Sequence, residues 1–371
     1  MANSMNGIPV RFILILFFYK ILFLLDGVCS QSVPALYIFG DSLVDVGNNN
    51  YITLSLIKAN FPHNGIDFPT GEATGRFSNG KNVADFLAEK VGLPTAQPYL
   101  SLVSSKWKTL SKTPITGVNF ASGGAGLFNR TDGFFRRVIS MTQQVEYYSL
   151  VHQQLVQQLG SDGARTHLAK SLFFIVIGSN DLFAYFNNNN KNSSNQDTPQ
   201  RYIDLMASTL KQFVKRLYGM EARKFVVTGV GMIGCCPSRR RQSDTNECQV
   251  EANDWSIKYN NALILLLQDL KSELSDINYS YFDTYGAMNN IIQDPETHGI
   301  TEIEEACCGL GNLKADIPCI PIAKYCSNRH DHLFWDRVHP TEIVSSFFAD
   351  LFYNGSQQLT FPINVEQLVK L

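Results

Sequence analysis

This 371-residue chain is short of charge: Asp, Glu, Lys and Arg make up 17% of it, against roughly 25% in soluble chains. Disorder needs high charge and low hydrophobicity, and with 44% hydrophobic residues that class is excluded. Neither sign dominates, since 31 Lys and Arg face 33 Asp and Glu. A formal charge of -2 leaves no basic field to hold a phosphate backbone, so nucleic acid is not an expected partner. No repeat period is visible. There is no HExxH, hence no helical zinc-ligand pair. There is no GxSxG either, which removes the commonest strand-to-helix elbow for a nucleophilic serine. What remains has apolar matter for a large core, in one large α/β domain or two smaller ones.

The single long apolar run is at the start. Arg11 precedes Phe12 to Phe18, then Tyr19-Lys20 and Ile21 to Leu25, and Val28-Cys29-Ser30 supplies small residues at the spacing of a cleavage site. Lys20 interrupts a stretch already shorter than the roughly 20 residues a bilayer-spanning helix needs. Residues 1–30 are therefore expected to be a cleaved signal peptide. Residues 31–371 are expected to form one secreted, extracellular domain with no transmembrane segment. Loss of Arg11, Lys20 and Asp26 leaves 29 basic and 32 acidic residues, a net charge of -3.

Secretion makes disulfides the default state of the seven cysteines left after Cys29 departs. Seven is odd, so one thiol is free or pairs with another molecule. Cys236 is the candidate, because adjacent cysteines rarely both find local partners. Cys235 with Cys248, and two bridges among Cys307, Cys308, Cys319 and Cys326, is the expected arrangement, with the pairing inside the second group open. Four sequons, at Asn129, Asn192, Asn278 and Asn354, are candidate glycan acceptors.

Along the chain, apolar runs at 35–39, 117–120, 172–177, 224–228 and 279–282 read as buried strands. Helical periodicity at 81–91, 142–159, 200–218 and 249–274 separates them. That rhythm predicts an α/β fold with a parallel sheet covered on both faces. Asn187 to Asn190, continuing to Pro199, reads as a polar loop. Three motifs invite functional readings that fail on inspection. Gly75 to Lys81 has phosphate-loop spacing, but Asn82 stands where a Ser or Thr must ligate magnesium. Gly229 to Gly234 matches a dinucleotide fingerprint, but Cys235-Cys236-Pro237 and Arg239-Arg240-Arg241 follow where a phosphate-binding helix should start. His330-Asp331-His332 lacks a four-ligand pattern.

Ser42 follows the first strand in Phe39-Gly40-Asp41-Ser42-Leu43. A serine at the carboxyl edge of a parallel sheet, entering a helix, stands where such folds bind ligands. Its hydroxyl needs a base, and of the seven His only His339 has a carboxylate, Asp336, three residues before it. Pro340 behind it reads as the first residue of a helix over 340–353. Two more strand ends carry hydrogen-bond donors suited to a developing oxyanion: the glycine-rich segment 119–126, and Gly178-Ser179-Asn180-Asp181 with its amide side chain. Each segment alone is an ordinary turn.

Together, and in this order, they resemble a known family. Gly40-Asp41-Ser42-Leu43 with Val44 to Asn50 is similar to the first block of the GDSL family of SGNH hydrolases, of the plant-type secreted esterase/lipase kind. Gly124, Asn180 and Asp336-Arg337-Val338-His339 fall in segments similar to its later blocks. The resemblance implies a flavodoxin-like three-layer α/β/α fold and ester hydrolysis without metal or cofactor. It also implies Ser42 as nucleophile, His339 as base and then acid, Asp336 as orienting carboxylate, and the Ser42 amide, the Gly124 amide and the Asn180 side chain as oxyanion donors. The second of two adjacent cysteines, Cys236, departs from the pattern. The expected substrate is a small-molecule or lipid ester. An extracellular acyltransferase using the same triad, or a catalytically silent binding or defence glycoprotein, are the alternative readings.

Overall fold

Alternation along the strands sorts the core into two halves. In the computed structural model, which describes residues 33–103, 110, 113–129, 131, 137–189 and 199–371, β1 (Leu36–Gly40) turns Tyr37 and Phe39 to one face and Leu36 and Ile38 to the other. The expected signal peptide and the sequon at Asn192 lie outside the described residues. The remaining strands are β2 (Gln97–Pro98), β3 (Val118–Asn119), β4 (Leu172–Val176), β5 (Lys224–Thr228), β6 (Asn278–Phe282), β7 (Glu302–Ala306), β8 (Cys308–Gly309), β9 (Lys324–Tyr325), β10 (His332–Phe334) and β11 (Thr360–Pro362). The helices are α1 (Val83–Lys90), α2 (Tyr99–Leu102), α3 (Met141–Lys170), α4 (Ser179–Asn189), α5 (Pro199–Tyr218), α6 (Pro237–Arg240), α7 (Val250–Glu273), α8 (Thr284–Gln293), α9 (Glu342–Asn354) and α10 (Val365–Val369).

Tyr37, Phe39, Phe173, Ile175, Phe225 and Val227 pack under α3, α5 and α7. Leu36, Ile38, Leu172, Phe174 and Val226 pack under α1, α8, α9 and α10. The result is the α/β/α sandwich expected of strands that are apolar on both faces. Tyr148 of α3 sets its ring against Tyr37, Phe39 and Phe173 at 5.5, 5.8 and 5.5 Å, contacts that add about 0.5–1.5 kcal/mol per aromatic pair beyond burial. A third cluster gathers Cys307, Cys308, Cys319 and Cys326 around Trp335.

Strand order in the main sheet is β11-β6-β5-β4-β1-β3-β2, with β11 antiparallel to β6 and every other pair parallel. The chain leaves β1 to one side for β3 and then crosses back to β4 on the other. That reversal opens a crevice above the carboxyl ends of β1, β3 and β4, the place where open α/β sheets bind ligands.

Some boundaries differ from expectation for local reasons. Helix α3 continues past 159 to Lys170, broken by Gly160 at φ 73°, ψ 165°. Helix α4 runs through Asn189, into the stretch read as a polar loop. Pro340 is not helical: it bridges to Phe334, and α9 starts at Glu342 behind Thr341. Ser42 does not enter a helix. It occupies a single turn closed by the Asp45 amide on the Asp41 carbonyl at 3.0 Å. The Asp45 carboxylate then turns the chain by accepting from the Gly47 and Asn48 amides at 2.7 and 2.8 Å.

Disulfides join Cys235 to Cys248, Cys307 to Cys326 and Cys308 to Cys319, and Cys236 is a buried free thiol. Burial pushes that thiol up to about 12. Among the described residues no helix is long and apolar enough to cross a membrane.

Candidate active site

The end of β1 aims Ser42. Gly40 has φ +151°, and a Cβ there would lie 2.2 Å from the Val176 carbonyl oxygen, so only glycine lets β1 and β4 stay this close as the chain turns. The side chain of Gln144, from α3, accepts from the Gly40 amide and donates to the Gly40 carbonyl, both at 2.8 Å. Gln144 is fully buried and 104 residues away, so no local pattern marks it.

Ser42 meets the far end of the chain across this crevice. Its Oγ lies 2.7 Å from His339 Nε2, and His339 Nδ1 lies 2.7 and 2.8 Å from the two oxygens of Asp336. The three residues are 9%, 8% and 8% exposed, which keeps water from competing for these contacts. The segment from Asp336 to His339 is a bend rather than a helical turn. Asp336 Oδ1 builds it by accepting the Val338 and His339 amides, each at 2.9 Å. Burial raises the Asp336 pKa, but the charge and hydrogen bond of His339 and the two amides outweigh it and hold the carboxyl below its ordinary range. The Phe77 ring covers the imidazole at 5.0 Å.

Gly124 follows β3 and Asn180 opens α4 after β4, so both sit beside Ser42 on the strands flanking β1. All three line one cavity of about 590 Å³. The Ser42 and Gly124 amides donate to no group among the described residues. Asn180 Nδ2 donates to the Ala125 carbonyl at 2.9 Å, which leaves its second proton free. Leu56, Phe61, Phe183, Met288 and Phe348 make much of the remaining wall apolar.

Residues that sequence reasoning did not single out hold these donors in place. Asp45 Oδ2 accepts the Gly123 amide at 2.8 Å, tying the segment after β1 to the segment after β3. Asn48 Nδ2 donates to the Asn119 and Ala121 carbonyls at 2.9 and 2.8 Å, and Asn119 Nδ2 to the Val44 carbonyl at 2.7 Å. Asp181 accepts the Leu127 amide at 2.9 Å and the Thr131 hydroxyl at 2.6 Å, tying α4 to the glycine segment. Asp45 and Asn48 fall in the Val44 to Asn50 segment and Asp181 follows Asn180, but nothing in those segments announced the contacts they make.

The other candidates lie elsewhere. His332 Nδ1 pairs with Asp331 at 2.6 Å in β10, and no group of three metal-ligating side chains occurs among the described residues. Asn82 caps α1 with Asp85 rather than closing a phosphate loop. The bend after β5 is held by Asn260, whose side chain exchanges 2.8 Å hydrogen bonds with both backbone groups of Val230. Asn129 and Asn354 are exposed, while Asn278 is half-buried at the start of β6.

The family described as GDSL-like Lipase/Acylhydrolase matches residues 36–352. Among curated proteins, a GDSL esterase/lipase of Arabidopsis thaliana is 48% identical, over 91% of this chain and 90% of the relative. A second from the same plant is 38% identical over 99% of both chains. A third is 35% identical over 88% of this chain and 90% of the relative. With a match that runs from the first core strand to the last long helix, and relatives of this similarity along nearly their full length, the chain belongs to the GDSL-like lipase/acylhydrolase family.

Proposed function

We propose that the chain is a secreted serine esterase or lipase that hydrolyses carboxylic esters through an acyl-enzyme formed on Ser42. The observation that carries this reading is the 2.7 Å contact between Ser42 Oγ and His339 Nε2, with Nδ1 of the same ring held by Asp336. In that arrangement the Ser42 hydroxyl donates to Nε2 and Nδ1-H donates to the carboxylate, the tautomer a general base needs. His339 takes the hydroxyl proton as Oγ attacks the acyl carbon. The carbonyl oxygen, now negative, is received by the Ser42 and Gly124 amides and the free Asn180 proton. His339 returns the proton to the departing alcohol, and water attacking the acyl-enzyme by the same route frees the acid. Each donor contributes on the order of 3 kcal/mol to the barrier reduction.

The same reading takes residues 1–30 as a cleaved signal and residues 31–371 as one hydrolase domain. Glycans are placed on Asn129, Asn192, Asn278 and Asn354, of which Asn129 and Asn354 are exposed in the folded chain. Names of the Arabidopsis relatives, all GDSL esterase/lipases, support the substrate class. A fluorophosphonate probe is expected to label the protein on the peptide containing Ser42. Ser42→Ala is expected to lose both labelling and turnover of 4-nitrophenyl butyrate. Turnover retained in that variant overturns the serine mechanism.

A further inference from the structure

Arg239, Arg240 and Arg241 follow one another at the end of α6, and the fold treats them differently. Arg240 Nε donates to the Cys235 carbonyl at 3.0 Å, and its Nη1 stands 3.5 Å from Glu304. Arg241 pairs with Asp316 at 2.6 Å. Arg239 instead lines the cavity that holds Ser42 and His339, and is 4% exposed. Its guanidinium makes one hydrogen bond, from Nη2 to the Phe183 carbonyl at 3.2 Å, and lies over the Phe183 and Phe186 rings at 5.2 and 5.4 Å. Its Nε and Nη1 donate to no described residue, and no carboxylate among the described residues lies within ion-pair reach. Burial is the main cause that lowers its pKa, yet a guanidinium keeps its proton in proteins. A buried cation with no counter-charge is costly unless it is paired, and an anion entering the cavity would pair this one.

Arg239 shares this cavity wall with the two elements that flank it. Phe183 stands one turn after Asn180 on α4. On the other side the Ser238 amide donates to the Arg337 carbonyl at 2.9 Å, two residues before His339. Arg239 is thus set between the elements that carry an oxyanion donor and the base. Two faces of phenylalanine and one carbonyl hold its plane and leave Nε and Nη1 unused on a residue that lines the cavity.

We propose that Arg239 is the anion-binding residue of the pocket, and that the preferred substrate is an ester bearing a free carboxylate. One guanidinium with unused donors matches the single charge and two oxygens of that group. The proposal rests on the ester-hydrolase reading above and narrows its substrate class.

Two matched pairs test it: mono(4-nitrophenyl) glutarate against its methyl ester, with the charge on the acyl side, and 4-butanoyloxybenzoate against its methyl ester, with the charge on the alcohol side. Wild-type kcat/KM is expected to favour the charged member of one pair by at least roughly tenfold, through KM, as a hydrogen-bonded charge pair would. That ratio is expected to fall towards one in Arg239→Gln and to be partly kept in Arg239→Lys. If neither charged ester is preferred by the wild type, the proposal is overturned without any variant. If the preference survives in Arg239→Gln, Arg239 only braces Phe183 and the proposal is equally overturned. Either failure leaves Ser42-dependent turnover of the methyl esters in place, which separates it from failure of the serine mechanism.

Discussion

His339 depends on Asp336 for both its orientation and its tautomer, and that dependence can be measured. Asp336→Asn keeps the volume and the bend but presents an amide to Nδ1, so kcat is expected to drop by a factor on the order of 10⁴ while the fold remains. The same carboxyl has a stability signature. Its folded pKa lies below the ordinary 3.8, so its contribution is complete above that value and is lost as pH falls through the lower folded one. Urea midpoints followed downward from about pH 4 are expected to fall more steeply for the wild type than for Asp336→Asn. At this scale the chain was unevenly legible. Ser42, Asp336 and His339 could be read because each carries a recognisable local spacing, and the structure brings all three together. The contacts of Gln144, Asp45 and Arg239 could not, because their partners lie 104, 78 and 56 residues away and nothing local announces them.

Among the elements, long buried strands were readable as apolar runs and the short ones were not. Gln97–Pro98 and Thr360–Pro362 are edge strands ending in proline, too brief for any period to emerge. The capped starts of α1 and α3 fell within two residues of expectation because Asn82 and Ser140 are strong caps. Helix α6 carries Arg239 and has little stability of its own, with four residues between a tight turn and a loop. The Cys235–Cys248 bridge anchors it by closing a 13-residue separation, and such a loop contributes about 3 kcal/mol. The double variant Cys235→Ala/Cys248→Ala is expected to lose stability by that amount in urea titration. Its preference for charged over methylated esters is expected to weaken more than its turnover of the methylated ones, since Ser42, Asp336 and His339 are held by other contacts.

For the whole molecule, a formal charge of -2 is an average over 371 residues and does not register one arginine kept inside a cavity. Compartment is a property of this scale too. Protein recovered from the medium of a secreting host is expected to begin at Gln31, and its mass is expected to fall on treatment with peptide N-glycosidase; an N-terminus at Met1 or Ala2 would refute the signal reading.

Trp335 has a further use. Its ring is fully buried among the Cys307–Cys326 and Cys308–Cys319 bridges, its Nε1 donates to Asn64 at 3.0 Å, and its amide donates to the His339 carbonyl at 2.8 Å. Disulfides quench indole emission on contact, so this tryptophan should be dark in the native protein and brighten when the bridges are reduced. The residue next to Asp336 is therefore expected to act as an intrinsic fluorescent reporter of these bridges once Trp107 and Trp255 are replaced by phenylalanine.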